Sequence, residues 1–197
     1  FTGIIESIGV IRHIEKDRGN IHFTIESEIS HELKIDQSVA HDGVCLTVVE
    51  VTDGAHRVTA INETLEKSSL GEWTIGGLVN IERCMSPSGR FDGHIVQGHV
   101  DTTGKVVKVE EDNGSWRYYF SHPVSNDYIT VKKGSITING VSLTVVDSSE
   151  EGFSGALIPY TYEHTNFWNF TPGDTVNLEF DIIGKYVAEM MRRGING

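Results

Sequence analysis

The chain contains nearly the same phrase twice, and this repeat limits the possible folds more than any other feature. "SVAHDGVCLTVV" at 38–49 and "SITINGVSLTVV" at 135–146 lie 97 positions apart and are identical at seven of twelve positions. The match continues without a gap from 61–82 onto 158–179, and with a two-residue shift the first ten residues match 96–105. A match at one nearly fixed offset indicates tandem copies of one structural unit. The sequence therefore predicts two copies joined by the polar stretch 84–93.

Each copy has the pattern of antiparallel β structure. Short strands rich in β-branched residues surround Asp42-Gly43 and Asn139-Gly140, the residue pairs typical of two-residue hairpin turns. Turn residues recur at a spacing of about ten, which favours a small barrel or sandwich. We predict an all-β chain with short helices in 65–73 and 162–170.

The C-terminal segment has a different pattern. Six apolar residues fall on one helical stripe, with Asp181 as a predicted N-cap and Gly194 as the stop. They are Ile182, Ile183, Tyr186, Val187, Met190 and Met191. We expect an apolar helix face of this kind to be buried, either against the helix's own barrel or against the same helix of other chains.

Charge and composition exclude several classes of protein. The formal net charge is -12 and no stripe of Lys or Arg offsets it, so we expect no nucleic-acid partner. No apolar run reaches the roughly 18 residues of a membrane span, so we expect no membrane partner. Two cysteines are too few for a disulfide framework and indicate a reducing compartment. The expected location is the cytoplasm.

Six segments spread over almost the whole chain together resemble the riboflavin synthase family. They are "FTGIIESIG", "SVAHDGVCLTV", "GRFDGHIVQGHVD", "KGSITINGVSLTV", "LIPYTYEHTN" and "VNLEFDIIGKY". The resemblance implies two homologous six-stranded antiparallel Greek-key barrels in tandem, at 1–87 and 88–181, and a helix at 182–197 that holds a homotrimer together. It also implies an active site between the first barrel of one subunit and the second barrel of its neighbour.

The same resemblance implies a reaction between two molecules of 6,7-dimethyl-8-ribityllumazine. One molecule gives a four-carbon unit to the other, which yields riboflavin and 5-amino-6-ribitylaminopyrimidinedione. No metal or redox cofactor is expected, and lumazine synthase is a further partner that the resemblance suggests. A duplicated fold suits this chemistry, because two copies of one substrate need two similar pockets that hold them in a reactive orientation.

The two copies differ where the chemistry is expected. Cys45 lies over Ser142, Ile4 over His99, Asp36 over Lys133 and Cys84 over Asp181. The resemblance assigns catalytic roles to Cys45, Ser142, His99, Asp181, Ser38 and Lys133. The predicted substrate-binding residues are Phe1, Gly3, Ile4, Thr47, Ile61, Glu63, Thr64, Gly98, Thr144, Ile158, Pro159 and Thr161. The competing interpretations are a cysteine that only packs, threonines that only pack in strands, and an Asp181 that only caps the helix.

His99 is the candidate base, and Cys45 is a candidate nucleophile or proton carrier. A metal site at His94 and His99 is not expected, because the two are five residues apart and no third ligand completes a set. The alternative function is a non-catalytic lumazine-binding or flavin-binding antenna protein. The flavin domain of a reductase would need a nicotinamide-binding unit with a glycine-rich turn, which the sequence lacks.

Overall fold

The computed structural model describes residues 1–194 and consists of two closed six-stranded antiparallel barrels followed by a helix. Barrel 1 contains β1 (Ser7–Asp17), β2 (Asn20–Glu26), β3 (Ser38–His41), β4 (Val44–Thr52), β5 (Ala55–Ala60) and β6 (Leu78–Arg83). Barrel 2 contains β7 (Thr102–Asp112), β8 (Ser115–Ser121), β9 (Ser135–Ile138), β10 (Val141–Ser148), β11 (Gly152–Leu157) and β12 (Thr175–Phe180). The helices are α1 (Asn62–Lys67), α2 (Pro159–Glu163) and α3 (Ile182–Arg192).

The two barrels have the same strand order, which confirms the predicted duplication. The order is β1-β2-β5-β4-β3-β6 in barrel 1 and β7-β8-β11-β10-β9-β12 in barrel 2. Irregular register occurs at corresponding places, between Val48 and Glu50 in β4 and between Val145 and Asp147 in β10. A bulge of this kind bends a strand and increases its twist, so the two barrels close with the same curvature. The predicted domain limit at 87/88 lies in the connection between β6 and β7.

The Asp-Gly and Asn-Gly pairs form the predicted hairpin turns. Both residues of each turn have positive φ, 46° and 80° at Asp42 and Gly43, and 45° and 79° at Asn139 and Gly140. These values are those of a type I′ turn. The tips of the two hairpins meet, since a Cβ added to Gly43 would lie 2.7 Å from the backbone nitrogen of Gly140. The barrels therefore contact one another through their two most similar segments.

The connections before β6 and β12 contain the short helices, with one difference from the sequence prediction. Helices α1 and α2 begin three residues earlier than predicted, after the extended residues Ile61 and Ile158. Pro159 favours this early start because proline fits the first position of a helix. Each α-helix is followed by a short 3₁₀ turn, at Ser69–Glu72 and at Asn166–Asn169.

Helix α3 follows the predicted pattern in the described residues, and residues 195–197 lie outside them. Asp181 caps it through a 3.0 Å hydrogen bond from the Ile183 backbone N–H, and Gly194 follows its end with φ 67°. Ion pairs join Lys185 to Asp101 and Arg192 to Asp127, which fixes the helix on barrel 2. Five apolar side chains nevertheless stay exposed within the chain: Ile183, Tyr186, Val187, Met190 and Met191. None of the helices in 1–194 is long and apolar enough to cross a membrane.

Candidate functional site

A cavity on barrel 1 brings together five of the predicted site residues. It has a volume of about 280 Å³, and its lining includes Cys45, Glu63, Thr64, Gly98 and His99. Cys45 lies on β4, and Glu63 and Thr64 lie in the first turn of α1. Gly98 and His99 come from the segment that connects the two barrels. The cavity is therefore built from three stretches that are distant in sequence.

The backbone of Gly98 lies directly against Cys45. The Cys45 N–H donates a 2.8 Å hydrogen bond to the Gly98 carbonyl. Gly98 has φ 81°, and an added Cβ would lie 2.6 Å from the Cys45 Cβ. The same added Cβ would lie 3.0 Å from the ring of Phe1, another predicted site residue. Glycine is required here both by backbone conformation and by the close approach.

Cys45 is half-buried, and this burial is the largest influence on its thiol. Burial raises the pKa of Cys45, although a hydrogen bond with Ser38 acts in the opposite direction. A raised pKa keeps the thiol protonated at neutral pH. Of the two roles predicted for Cys45, this environment favours the proton carrier over the thiolate nucleophile.

Barrel 2 repeats the same backbone contact with a serine. The Ser142 N–H donates a 2.8 Å hydrogen bond to the carbonyl of Gly3. Gly3 also has φ 81°, and an added Cβ would lie 2.5 Å from the Ser142 Cβ. The pair Gly3 and Ser142 thus matches the pair Gly98 and Cys45, as the two-residue shift in the repeat predicts.

His94 is a functional candidate that the sequence analysis considered only as a metal ligand. Its Nδ1 lies 2.7 Å from the Ser142 Oγ, and its Nε2 lies 3.2 Å from the Thr137 hydroxyl. Burial lowers the pKa of His94, and the nearby Asp181 carboxylate raises it to a smaller extent. His94 therefore groups with Ser142 and Asp181, whereas His99 groups with Cys45. The repeat gave no signal for His94, because the shifted register places it opposite no residue of the first copy.

Two buried glutamates were also missed. Glu82 accepts hydrogen bonds from the backbone N–H groups of Thr2 and Gly3, at 2.6 Å and 3.0 Å. Glu179 accepts them from Gln97, Gly98 and His99, at 2.7 Å, 2.9 Å and 2.9 Å. A signal for them was present, since the repeat aligns the two glutamates in "VNIE" and "VNLE".

Of the other predicted residues, Ser38 hydrogen-bonds Cys45, and the rest lie around these two centres. Ser38 pairs with Thr47 across β3 and β4, on the sheet face that carries Cys45. Lys133 is exposed and has φ 69°, matching Asp36 with φ 68° in barrel 1. The remaining predicted residues are half-buried or exposed: Ile4, Ile61, Thr144, Ile158, Pro159 and Thr161. Within one chain, Cys45 and Ser142 belong to separate sites.

Comparison with known proteins shows two copies of one domain. The family model described as "Lumazine binding domain" matches twice, at residues 2–84 and 97–181. Riboflavin synthase of Actinobacillus pleuropneumoniae is 40% identical over 97% of this chain and 89% of its own length. Riboflavin synthase of Mycobacterium tuberculosis (strain ATCC 25618 / H37Rv) is 40% identical over 98% of each chain.

Solved structures of LumP have the same fold. The complex with 6,7-dimethyl-8-(1'-D-ribityl) lumazine has a TM-score of 0.83 and 21% identity, covering 91% of this chain and 98% of LumP. The complex with riboflavin has a TM-score of 0.84 and 22% identity, covering 92% and 99%. At this level of identity the likeness shows the fold alone.

The fold and the two matched sites define a protein with tandem lumazine-binding domains. Because relatives at 40% identity span nearly the whole chain, it belongs to the riboflavin synthase family of transferases.

Proposed function

We propose that the protein converts two molecules of 6,7-dimethyl-8-ribityllumazine into riboflavin and 5-amino-6-ribitylaminopyrimidinedione. One observation carries this proposal: the two barrels hold Cys45 and Ser142 in the same backbone contact but surround them with different polar groups. Two sites with the same backbone contact can bind two copies of one substrate. Unequal side chains suit the two different roles, donor and acceptor of the four-carbon unit.

The groups on barrel 1 supply proton transfer. Loss of a proton from the C7 methyl of one lumazine gives a carbanion that is delocalised into its ring. An imidazole nitrogen can accept and return a proton, and His99 lines the same cavity as Cys45, so His99 is the base that we propose. Cys45, held as a thiol beside Gly98, relays or returns a proton in the same cavity.

The groups on barrel 2 orient the second lumazine. Ser142 and His94 form a hydrogen-bonded pair, with Asp181 close to the imidazole. A neutral His94 of lowered pKa accepts the Ser142 proton or donates to its oxygen, so the pair adapts to a ring carbonyl or nitrogen. The substrate-binding residues predicted from the sequence remain proposals, with Thr64 and Glu63 best placed for a polyol chain.

A complete site needs both barrels to face one another, and we propose that barrel 1 of one subunit meets barrel 2 of its neighbour in a homotrimer. The exposed apolar side chains of α3 support this assembly, because a contiguous apolar surface of this kind is typical of an interface. A cytoplasmic location and an association with lumazine synthase belong to the same proposal.

The experiment is to incubate the purified protein with the lumazine alone and to follow riboflavin by its fluorescence after chromatography. We expect about half a mole of riboflavin per mole of lumazine consumed, as the stoichiometry of dismutation requires. Tight lumazine binding without any riboflavin would instead identify a non-catalytic antenna protein and refute the proposal.

A further inference from the structure

We infer that Glu82 and Glu179 are positioning residues, each of which shapes the site on the other barrel. The inference deepens the proposed function, because it concerns the same two sites. The contacts that carry it are hydrogen bonds within the chain and do not depend on which substrate binds there.

Glu179 lies on β12 of barrel 2 and is 3% exposed. Its Oε1 accepts from Gln97 N–H, and its Oε2 accepts from the N–H groups of Gly98 and His99. The carbonyl of Gly98, on the opposite side of the same segment, accepts from Cys45 on barrel 1. A carboxylate of barrel 2 thus fixes the backbone that completes the cavity of barrel 1.

Glu82 makes the reciprocal connection. It lies on β6 of barrel 1 and is 4% exposed. Its carboxylate binds both N–H groups of Thr2 and Gly3 and also the Thr2 hydroxyl, at 2.9 Å. The carbonyl of Gly3 accepts from Ser142 on barrel 2.

The hydrogen bonds of Glu179 and Glu82 differ in one respect that bears on function. Glu179 binds three consecutive backbone N–H groups and so includes His99, the proposed base. Glu82 binds two N–H groups and a hydroxyl, and it leaves out Ile4, which matches His99 in the repeat. Among residues 1–194, the buried glutamate therefore anchors a candidate base at the barrel 1 site but not at the barrel 2 site.

A carboxylate is the appropriate side chain for this task because both of its oxygens accept hydrogen bonds and neither donates. Burial raises the pKa of both glutamates, and the backbone N–H groups oppose that rise by stabilising the ionised form. In a glutamine, an NH₂ group would face at least one backbone N–H. The segment would then move away, since a buried backbone donor without a partner is costly.

The crossed arrangement is tested through Cys45 as a local reporter. In a Cys84→Ser background Cys45 is the sole cysteine, and its alkylation by iodoacetamide follows how closely Gly98 covers it. We expect Glu179→Gln to raise the rate about 10-fold, since a half-buried thiol becomes open to the reagent. Glu82→Gln, although its glutamate belongs to the barrel of Cys45, should change the rate by less than about twofold.

Charge is controlled by Glu179→Asp, because the Glu179 carboxylate itself raises the pKa of Cys45. Aspartate keeps the charge but withdraws the two oxygens from the segment, so it should also raise the alkylation rate. Acceleration by glutamine alone would mean that only charge acts on Cys45, and it would overturn the inference. Equal acceleration by Glu82→Gln and Glu179→Gln would overturn it as well, because it would indicate general loosening.

Two further measurements make the test independent of variant folding and of the proposed reaction. Hydrogen exchange of the unaltered protein should show protected amides at Gly98 and His99. Rapid exchange there would contradict their hydrogen bonds to the Glu179 carboxylate. In turnover, Glu179→Gln should lower kcat about 100-fold and shift its pH profile, since a misplaced base is costly, whereas Glu82→Gln should leave the profile in place. An unaltered protein that makes no riboflavin would refute the proposed function, yet the crossed alkylation result would still stand.

Discussion

Barrel 1 and barrel 2 share their strand order, the positions of their bulges and their two glycine contacts, but they differ in what fills them. Ile25 and Leu70 of the first core correspond to Phe120 and Phe167 of the second, so barrel 2 has an aromatic core. The comparison shows that turns, bulges and close backbone approaches specify the frame. Side chains inside that frame are free to diverge.

The largest difference between the two cores is a row of buried, hydrogen-bonded polar side chains in barrel 1. His41 and His56 are fully buried, and their Nε2 atoms lie 2.8 Å apart. The His41 Nδ1 faces the Val39 carbonyl, and the His56 Nδ1 faces the Ser30 hydroxyl, at 3.1 Å and 2.8 Å. Burial lowers the pKa of both imidazoles, so both are neutral near pH 7. Since a carbonyl only accepts, a neutral His41 donates from Nδ1 and accepts at Nε2 from His56. Barrel 2 has Ile138 and Phe153 at these positions.

The largest loss of stability is expected for Gly98→Ala, which changes one of the two matching glycine contacts. The added methyl would overlap Cys45 and force a strained backbone at φ 81°, so we expect a loss of about 4 kcal/mol or failure to fold. Gly3→Ala should behave alike on barrel 2. Gly54→Ala is the control, because its φ is 77° but nothing lies within 4 Å of the added Cβ. It should cost only about 1 kcal/mol in urea unfolding. A Gly98→Ala protein as stable as this control would show that the close approach is unimportant.

The second prediction concerns Asp42→Asn, a substitution that makes the two hairpin turns alike. Burial raises the pKa of Asp42 to about 7, against hydrogen bonds from Asn80 and Asn166, whereas the matching residue is Asn139. A carboxyl whose folded pKa is raised costs stability as pH rises from its unfolded pKa, near 4, through about 7. Asp42→Asn should therefore match the parent near pH 4 and exceed its stability by roughly 4 kcal/mol at pH 8. Denaturant unfolding at both values measures this, and a constant difference between them would contradict it.

The two turns also show how far sequence reasoning reaches. The repeat, the Asp-Gly and Asn-Gly pairs and the cap at Asp181 are local signals, and the strands, turns and α3 that they predict are present. The grouping of Cys45 with Glu63, Thr64 and His99 depended on the family resemblance, because only the fold brings α1 and 98–99 to β4. The crossed glutamates and His94 were missed, since alignment of two copies cannot show that a segment of one half lies on the other.

The third prediction converts the histidine pair into its barrel 2 counterpart. Burial lowers the pKa of His56 to about 4 and that of His41 well below its ordinary range. Such groups stabilise the fold above their unfolded pKa, near 6.5, and that stability is lost as pH falls through the folded pKa. His56 alone should thus cost the parent roughly 3 kcal/mol between pH 6.5 and 4, and His41 should add to this loss, with barrel 1 opening first.

The double variant His41→Ile with His56→Phe should flatten this loss. At pH 7 it should be less stable than the parent by about 1 kcal/mol, because the Ser30 hydroxyl loses one of its two partners and keeps only Ser27. The slope of the unfolding free energy against pH distinguishes the two proteins. An unchanged acid slope would assign the acid sensitivity to groups other than this pair.

The smallest effect is expected for Cys45→Ser, a substitution at a position where the two sites differ. Cys45→Ser makes barrel 1 resemble barrel 2 at this position while it keeps a small side chain, so the fold and the affinity for lumazine should change little. Turnover should fall about 10-fold, the effect of weakening a positioned proton-transfer group. Ser142→Cys is the matched variant and should have a milder effect, because its partner His94 still orients the second ring. Riboflavin formation and ligand fluorescence measure the two quantities separately. If Cys45→Ser turned over at the parent rate, the cysteine would be a packing residue, and the catalytic difference between the barrels would rest on His99 and its anchor Glu179.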